Sequence, residues 1–167
     1  MVLWEIQQMK SYGKDFEKKV LTALKLIPGV SADRLVDQVS GYKGSTNISD
    51  VICYKYPVLV YLELKSIHGN TFPLANLHQY PKLLTKKGIK GVKAGVLIWY
   101  VDNDVEIFVP IKSFERIVKE GHKSINIKTI DLEEYGITKI PAIKKRVFLD
   151  CDYSCLFDFN KDANNNE

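Results

Sequence analysis

Ile48-Ser-Asp-Val-Ile-Cys-Tyr-Lys-Tyr-Pro-Val-Leu-Val-Tyr-Leu-Glu-Leu-Lys-Ser-Ile67 is the stretch on which the fold turns. Residues 48–54 and 58–67 are dense in β-branched and aromatic side chains, and Lys55-Tyr56-Pro57 breaks the run, so the pattern predicts a β-hairpin. The second arm is apolar enough to be a central strand buried on both faces, yet Glu63 and Lys65 interrupt it. Alternate strand residues share a face, so Tyr61, Glu63 and Lys65 emerge together. A hairpin folded about Tyr56-Pro57 pairs residues whose numbers sum to 113, which sets Asp50 opposite Glu63. Facing like charges destabilise a ladder, and burial adds a desolvation cost. A cation between the two acids resolves both problems, and hard divalent ions such as magnesium favour carboxylate, water and phosphate oxygens. The alternative is a buried Asp50–Lys65 or Glu63–Lys65 salt bridge with no chemical role.

Upstream, residues 14–27 carry Phe16, Val20, Leu21, Leu24 and Ile27 at helical spacing, and Pro28-Gly29 ends the pattern. Glu17 belongs to that stripe, bordering the core within reach of the same metal. Pairing with Lys14, Lys18 or Lys19 is the competing reading. Downstream, residues 77–87 predict a helix with Pro81 in its first turn. Residues 95–100 and 105–109 flank Asp102-Asn103-Asp104 as a second hairpin, and residues 111–120 form another helix. Helices alternating with strand pairs imply an α/β fold, a mixed sheet flanked by helices.

The 167 residues suit a single domain over 1–149, followed by an acidic segment, 150–167, disordered from about 162. No apolar run reaches the roughly 20 residues that span a bilayer, which points to a soluble protein working in the cytoplasm. Cys53, Cys151 and Cys155 match no zinc spacing and read as reduced, buried thiols. The net charge of +4 is uneven: residues 1–149 hold 23 bases against 15 acids. Lys82, Lys86, Lys87, Lys90 and Lys93 cluster, as do Lys139, Lys144, Lys145 and Arg146, which suits a polyanion although such faces are often only solvated surface. In Gly41-Tyr-Lys-Gly-Ser-Thr-Asn47, Lys43 and Ser45 are available to phosphate and Tyr42 to stack on a base; an ordinary glycine-rich loop is the alternative.

Asp50, then Glu63-Leu64-Lys65, then Asn70-Thr-Phe-Pro-Leu-Ala-Asn-Leu-His78 resembles the RecU-type Holliday junction resolvases of the PD-(D/E)XK nuclease superfamily. The resemblance extends upstream to Gly13-Lys-Asp-Phe-Glu17 and downstream to Lys123-Ser-Ile and Asp131-Leu-Glu-Glu134. It implies a restriction-endonuclease-like core. Asp50, Glu63 and the Leu64 carbonyl would bind magnesium, with manganese substituting; Glu17 would assist, and Lys65 would position or polarise the attacking water. It also implies a homodimer acting on DNA four-way junctions, phosphodiester hydrolysis that leaves a 3′-hydroxyl, and DNA contacts from His78 and Gln79, to which the charge cluster adds Lys86, Lys87 and Lys90 as expected DNA contacts. Two features depart from the family. Only 32 residues separate Glu17 from Asp50, where the family carries a longer insertion that enters the junction, and this shortening points to a phage or prophage source. The family's His-x-His-Gln motif is here His78-Gln79-Tyr80-Pro81, so Gln79 stands near the glutamine's place while strict alignment puts Pro81 there. Other nuclease substrates, or a DNA-binding module with a degenerate site, are the competing functions.

Overall fold

The computed structural model describes residues 3–36, 46–146 and 148–158, with side chains from residue 12 onward. Helix α1 (Leu3–Leu26) begins eleven residues before the predicted start, because the upstream segment is rich in good helix formers, among them Leu3, Glu5, Gln7, Gln8, Met9 and Lys10. Strands β1 (Ser31–Arg34), β2 (Val51–Lys55), β3 (Val58–Ile67) and β4 (Thr71–Pro73) follow. A 3-10 turn (Leu74–Asn76) then leads into α2 (Tyr80–Leu84). This helix is shorter than the predicted 77–87: Pro81 fixes its first turn, and the chain leaves it before Gly88, which takes a φ of 78°. Then come β5 (Val92–Tyr100), β6 (Val105–Pro110), α3 (Ile111–Lys119), β7 (Ser124–Asn126), β8 (Thr138–Lys139), β9 (Ala142–Lys144) and β10 (Leu149–Cys151).

Six strands form the main sheet in the order β1-β2-β3-β5-β6-β8. Only β3 and β5 run parallel, which requires the crossover through α2, and every other neighbour pair is antiparallel. The sheet is therefore mixed, as the sequence predicts. Val51 faces Leu62 and Ile52 faces Tyr61, the expected register about a cis Tyr56-Pro57 bond.

Both sheet faces are covered. Val60, Leu62 and Leu64 of β3 pack with Phe16, Val20 and Leu24 of α1 and with Tyr153, Leu156 and Phe157 of a final 3-10 turn (Tyr153–Phe157). On the other face Val96, Ile98, Phe114 and Ile117 pack with Phe72 and Leu83, and Tyr61 joins them from β3. The segment beyond residue 149 thus supplies core residues to the domain, while the expected disorder from about 162 lies outside the described residues. All three cysteines are free thiols; Cys53 is buried and Cys151 and Cys155 are half-buried. No helix among the described residues is long and apolar enough to cross a membrane.

Candidate active site

Asp50 is the residue before β2, where the β2–β3 ladder stops, so the Leu64 amide beyond the last pair needs an acceptor. Asp50 Oδ2 takes that amide at 2.8 Å, while the Asp50 carbonyl accepts the Leu35 amide at 2.8 Å. The buried Ser49 hydroxyl donates to the Val51 carbonyl at 3.0 Å and shapes the approach. Asp50 is consequently held from both neighbouring strands. It is the Leu64 amide that meets Asp50, and the Leu64 side chain is buried on the α1 face.

Glu63 is 0% exposed, in the middle of the sheet. Lys65 Nζ stands 2.8 Å from Glu63 Oε1 as an ion pair, and the Asp50 carboxyl adjoins the same glutamate. Burial first, and the Asp50 charge second, push the Glu63 carboxyl up to about 7; Lys65 opposes them. Asp50 is also raised by burial, against the lowering effect of the Leu64 amide and Lys65. Two carboxyls thus share one cation in a site that disfavours their ionisation.

Glu17 is brought to the same charge field. Burial and then the Asp50 charge raise its carboxyl, against Arg34 and Lys65. Its partner is Arg34 at 2.8 Å, from the end of β1, rather than Lys14, Lys18 or Lys19. Arg34 was not singled out in the sequence, since Ser31-Ala-Asp-Arg34 carries no strand signal of its own and is ordered by pairing with β2. Among the described residues no group of three or more His, Cys, Asp or Glu stands at metal-holding spacing. The donor set nevertheless suits a hard divalent ion: two adjoining carboxylates, Asp50 and the wholly buried Glu63, with one lysine between them, while Glu17 is paired with Arg34.

The other predicted contacts are dispersed. Lys86 Nζ lies 5.2 Å from the centre of the Tyr61 ring, on the same strand and face as Glu63. Lys87 is paired to Glu115 at 2.6 Å, and Lys90 is exposed in the following loop. His78 is exposed, whereas the Gln79 Oε1 is buried without a hydrogen bond at the start of α2. Lys82 anchors Thr46 through its hydroxyl at 2.7 Å and through its carbonyl. Tyr42, Lys43 and Ser45 lie outside the described residues.

No family model matches the chain, and no curated protein matches it. Among solved structures it is similar to Hjc, a Holliday junction resolvase from the archaeal hyperthermophile Archaeoglobus fulgidus. Identity is 22%, the match covers 74% of this chain and 92% of that one, and the TM-score is 0.50. At that identity the likeness speaks to architecture: the chain has the mixed α/β fold of this resolvase.

Proposed function

We propose that the chain is a magnesium-dependent DNA endonuclease that cuts four-way junctions, with Asp50, Glu63 and Lys65 at its reacting centre. The observation that carries this reading is the wholly buried Glu63, which adjoins a second carboxyl and has a single partly exposed lysine to balance the two. A carboxylate left that way is costly unless a positive ligand completes it. Asp50 and Glu63 would hold the ion, which supplies Lewis-acid charge and a bound water of lowered pKa. Glu17, paired with Arg34 and within the electrostatic influence of Asp50, would assist from α1. Lys65, 25% exposed on its side chain, can lean from Glu63 toward the scissile phosphate and stabilise the charge that builds there.

Lysines such as Lys86 and Lys90 would meet DNA phosphates, and a two-fold dimer would present two sites to opposed strands of a junction. Support for branched DNA comes from the fold shared with an archaeal resolvase and from the resemblance around Asp50 and Glu63-Leu64-Lys65. The short Glu17-to-Asp50 interval favours a second reading, a nuclease of the same chemistry acting on other DNA. Incubation with magnesium and equal amounts of labelled four-way junction, duplex, splayed arm and single strand separates the two. Symmetric nicking of the junction alone is expected; cleavage of every form selects the second reading, and binding without cleavage overturns both.

A further inference from the structure

A cavity of about 600 Å³ opens at the end of the sheet where β3 and β5 begin. Its floor is apolar, formed by Val58, Val92, Ala94, Phe108 and Ile111. Gly95 makes that floor possible: a Cβ there would come within 2.7 Å of the Phe108 ring, so only glycine lets the ring lie across β5. The rim, by contrast, is cationic. Lys87 is neutralised by Glu115 and Lys93 donates to the Asp158 carbonyl at 2.6 Å. Lys86 and Lys90 have no carboxylate partner among the described residues. An apolar floor under unneutralised ammonium groups matches a ligand with a flat apolar body and an anionic end.

We infer that this cavity binds one nucleotide, with its base on the apolar floor and its phosphate on Lys86 and Lys90. The volume falls in the roughly 300–1,000 Å³ range of small-ligand sites. Bases are sequence-tolerant stacking partners for apolar and aromatic surfaces, and lysine is a point charge suited to phosphate. Lys86 connects the cavity to the carboxylates, because its ammonium lies over Tyr61, two residues from Glu63 on the same face. Val58 and Glu63 are five residues apart on β3, about 16 Å at strand rise. Resting on the DNA reading above, the cavity would capture an unstacked nucleotide of a bound strand a few positions from the scissile phosphate. The same chemistry admits a free mononucleotide.

The test uses the full chain, with Ile89→Asp and Lys90→Glu as variants at two exposed positions of the cavity wall. Titration calorimetry with dAMP and with inorganic phosphate is combined with a scan of 2-aminopurine along each strand of a bound four-way junction. Binding of dAMP, but not of phosphate, that weakens at least tenfold in both variants supports the cavity with a free nucleotide as a sufficient ligand. No dAMP binding, but fluorescence brightening at one or two strand positions that both variants abolish, supports it with a strand nucleotide as the ligand. Equal affinity for phosphate and dAMP overturns the base-binding floor, and absence of both responses overturns the site. Cleavage by the unmodified chain in magnesium is read separately, so a nucleotide-binding protein that cuts nothing would sink the nuclease reading and leave the cavity standing.

Discussion

Two glutamates are fully buried in this sheet, and their surroundings differ in a way that sorts structure from chemistry. Glu106 of β6 accepts from Lys19 at 2.6 Å and from the Tyr153 hydroxyl at 2.6 Å, so its charge is matched and hydrogen-bonded. Glu63 has one ion-pair contact, from a lysine it shares with the charge of Asp50. Removing the Glu106 partner by Lys19→Met leaves a buried charge unpaired and is expected to cost about 2–3 kcal/mol in urea unfolding. The opposite outcome is expected at Glu63. Its carboxyl, ordinarily near 4.5, is pushed up to about 7, so between those values the folded state keeps a proton that the unfolded chain has released. Without divalent ions, stability therefore falls as pH rises through that window and is flat above it. Glu63→Gln removes this penalty and is expected to add about 2 kcal/mol at pH 8 and little at pH 5, while cleavage is lost. A variant less stable than the unmodified chain at pH 8 would contradict an unmatched buried carboxylate.

At the scale of elements, the β2–β3 hairpin was legible because its signal is local: two β-rich arms, one break, and a register that follows from the sum of paired numbers. The same logic brought Asp50, Glu63 and Lys65 together from the sequence alone. Features that depend on distant partners were not legible. Arg34 lies in a four-residue strand ordered by β2, and Glu106 interrupts an apolar strand much as Glu63 does, with the difference set by Lys19 and Tyr153 far along the chain. Gly95 is another such case, read as an ordinary strand residue although the Phe108 ring and the Val109 carbonyl occupy the space of its missing side chain. Gly95→Ala places a Cβ 2.4 Å from that carbonyl, and the overpacking is expected to cost about 2–3 kcal/mol by denaturant unfolding. A change below half a kcal/mol would mean that β5 and β6 slide apart without loss.

For the whole molecule, α1 and the last 3-10 turn close the face of the sheet opposite Glu63. Tyr153 and Leu156 are each 1% exposed and Phe157 is 9% exposed, so the chain beyond residue 149 completes the domain. Burial of such side chains contributes about 1.5–3 kcal/mol each, which together approaches the whole stability of a small domain. Ending the chain at residue 148 is expected to abolish cooperative thermal unfolding followed by circular dichroism. A sharp transition within a few degrees of the full chain would assign that segment a peripheral place. The face opposite α1 carries Tyr61 and Glu63 with Lys86 over the Tyr61 ring, whereas the cavity at the end of the sheet is lined by residues of both faces.

Asp50, Glu63 and Lys65 are proposed to form a metal-dependent phosphodiester-cleaving site. The most direct measurement is cleavage of a labelled four-way junction in magnesium by the unmodified chain and by Asp50→Asn, each first shown to unfold cooperatively. Magnesium-dependent cuts are expected from the unmodified chain, with a rate at least a thousandfold lower, on the order of 4 kcal/mol in the barrier, for Asp50→Asn. Equal cleavage by a well-folded Asp50→Asn protein would contradict that proposal.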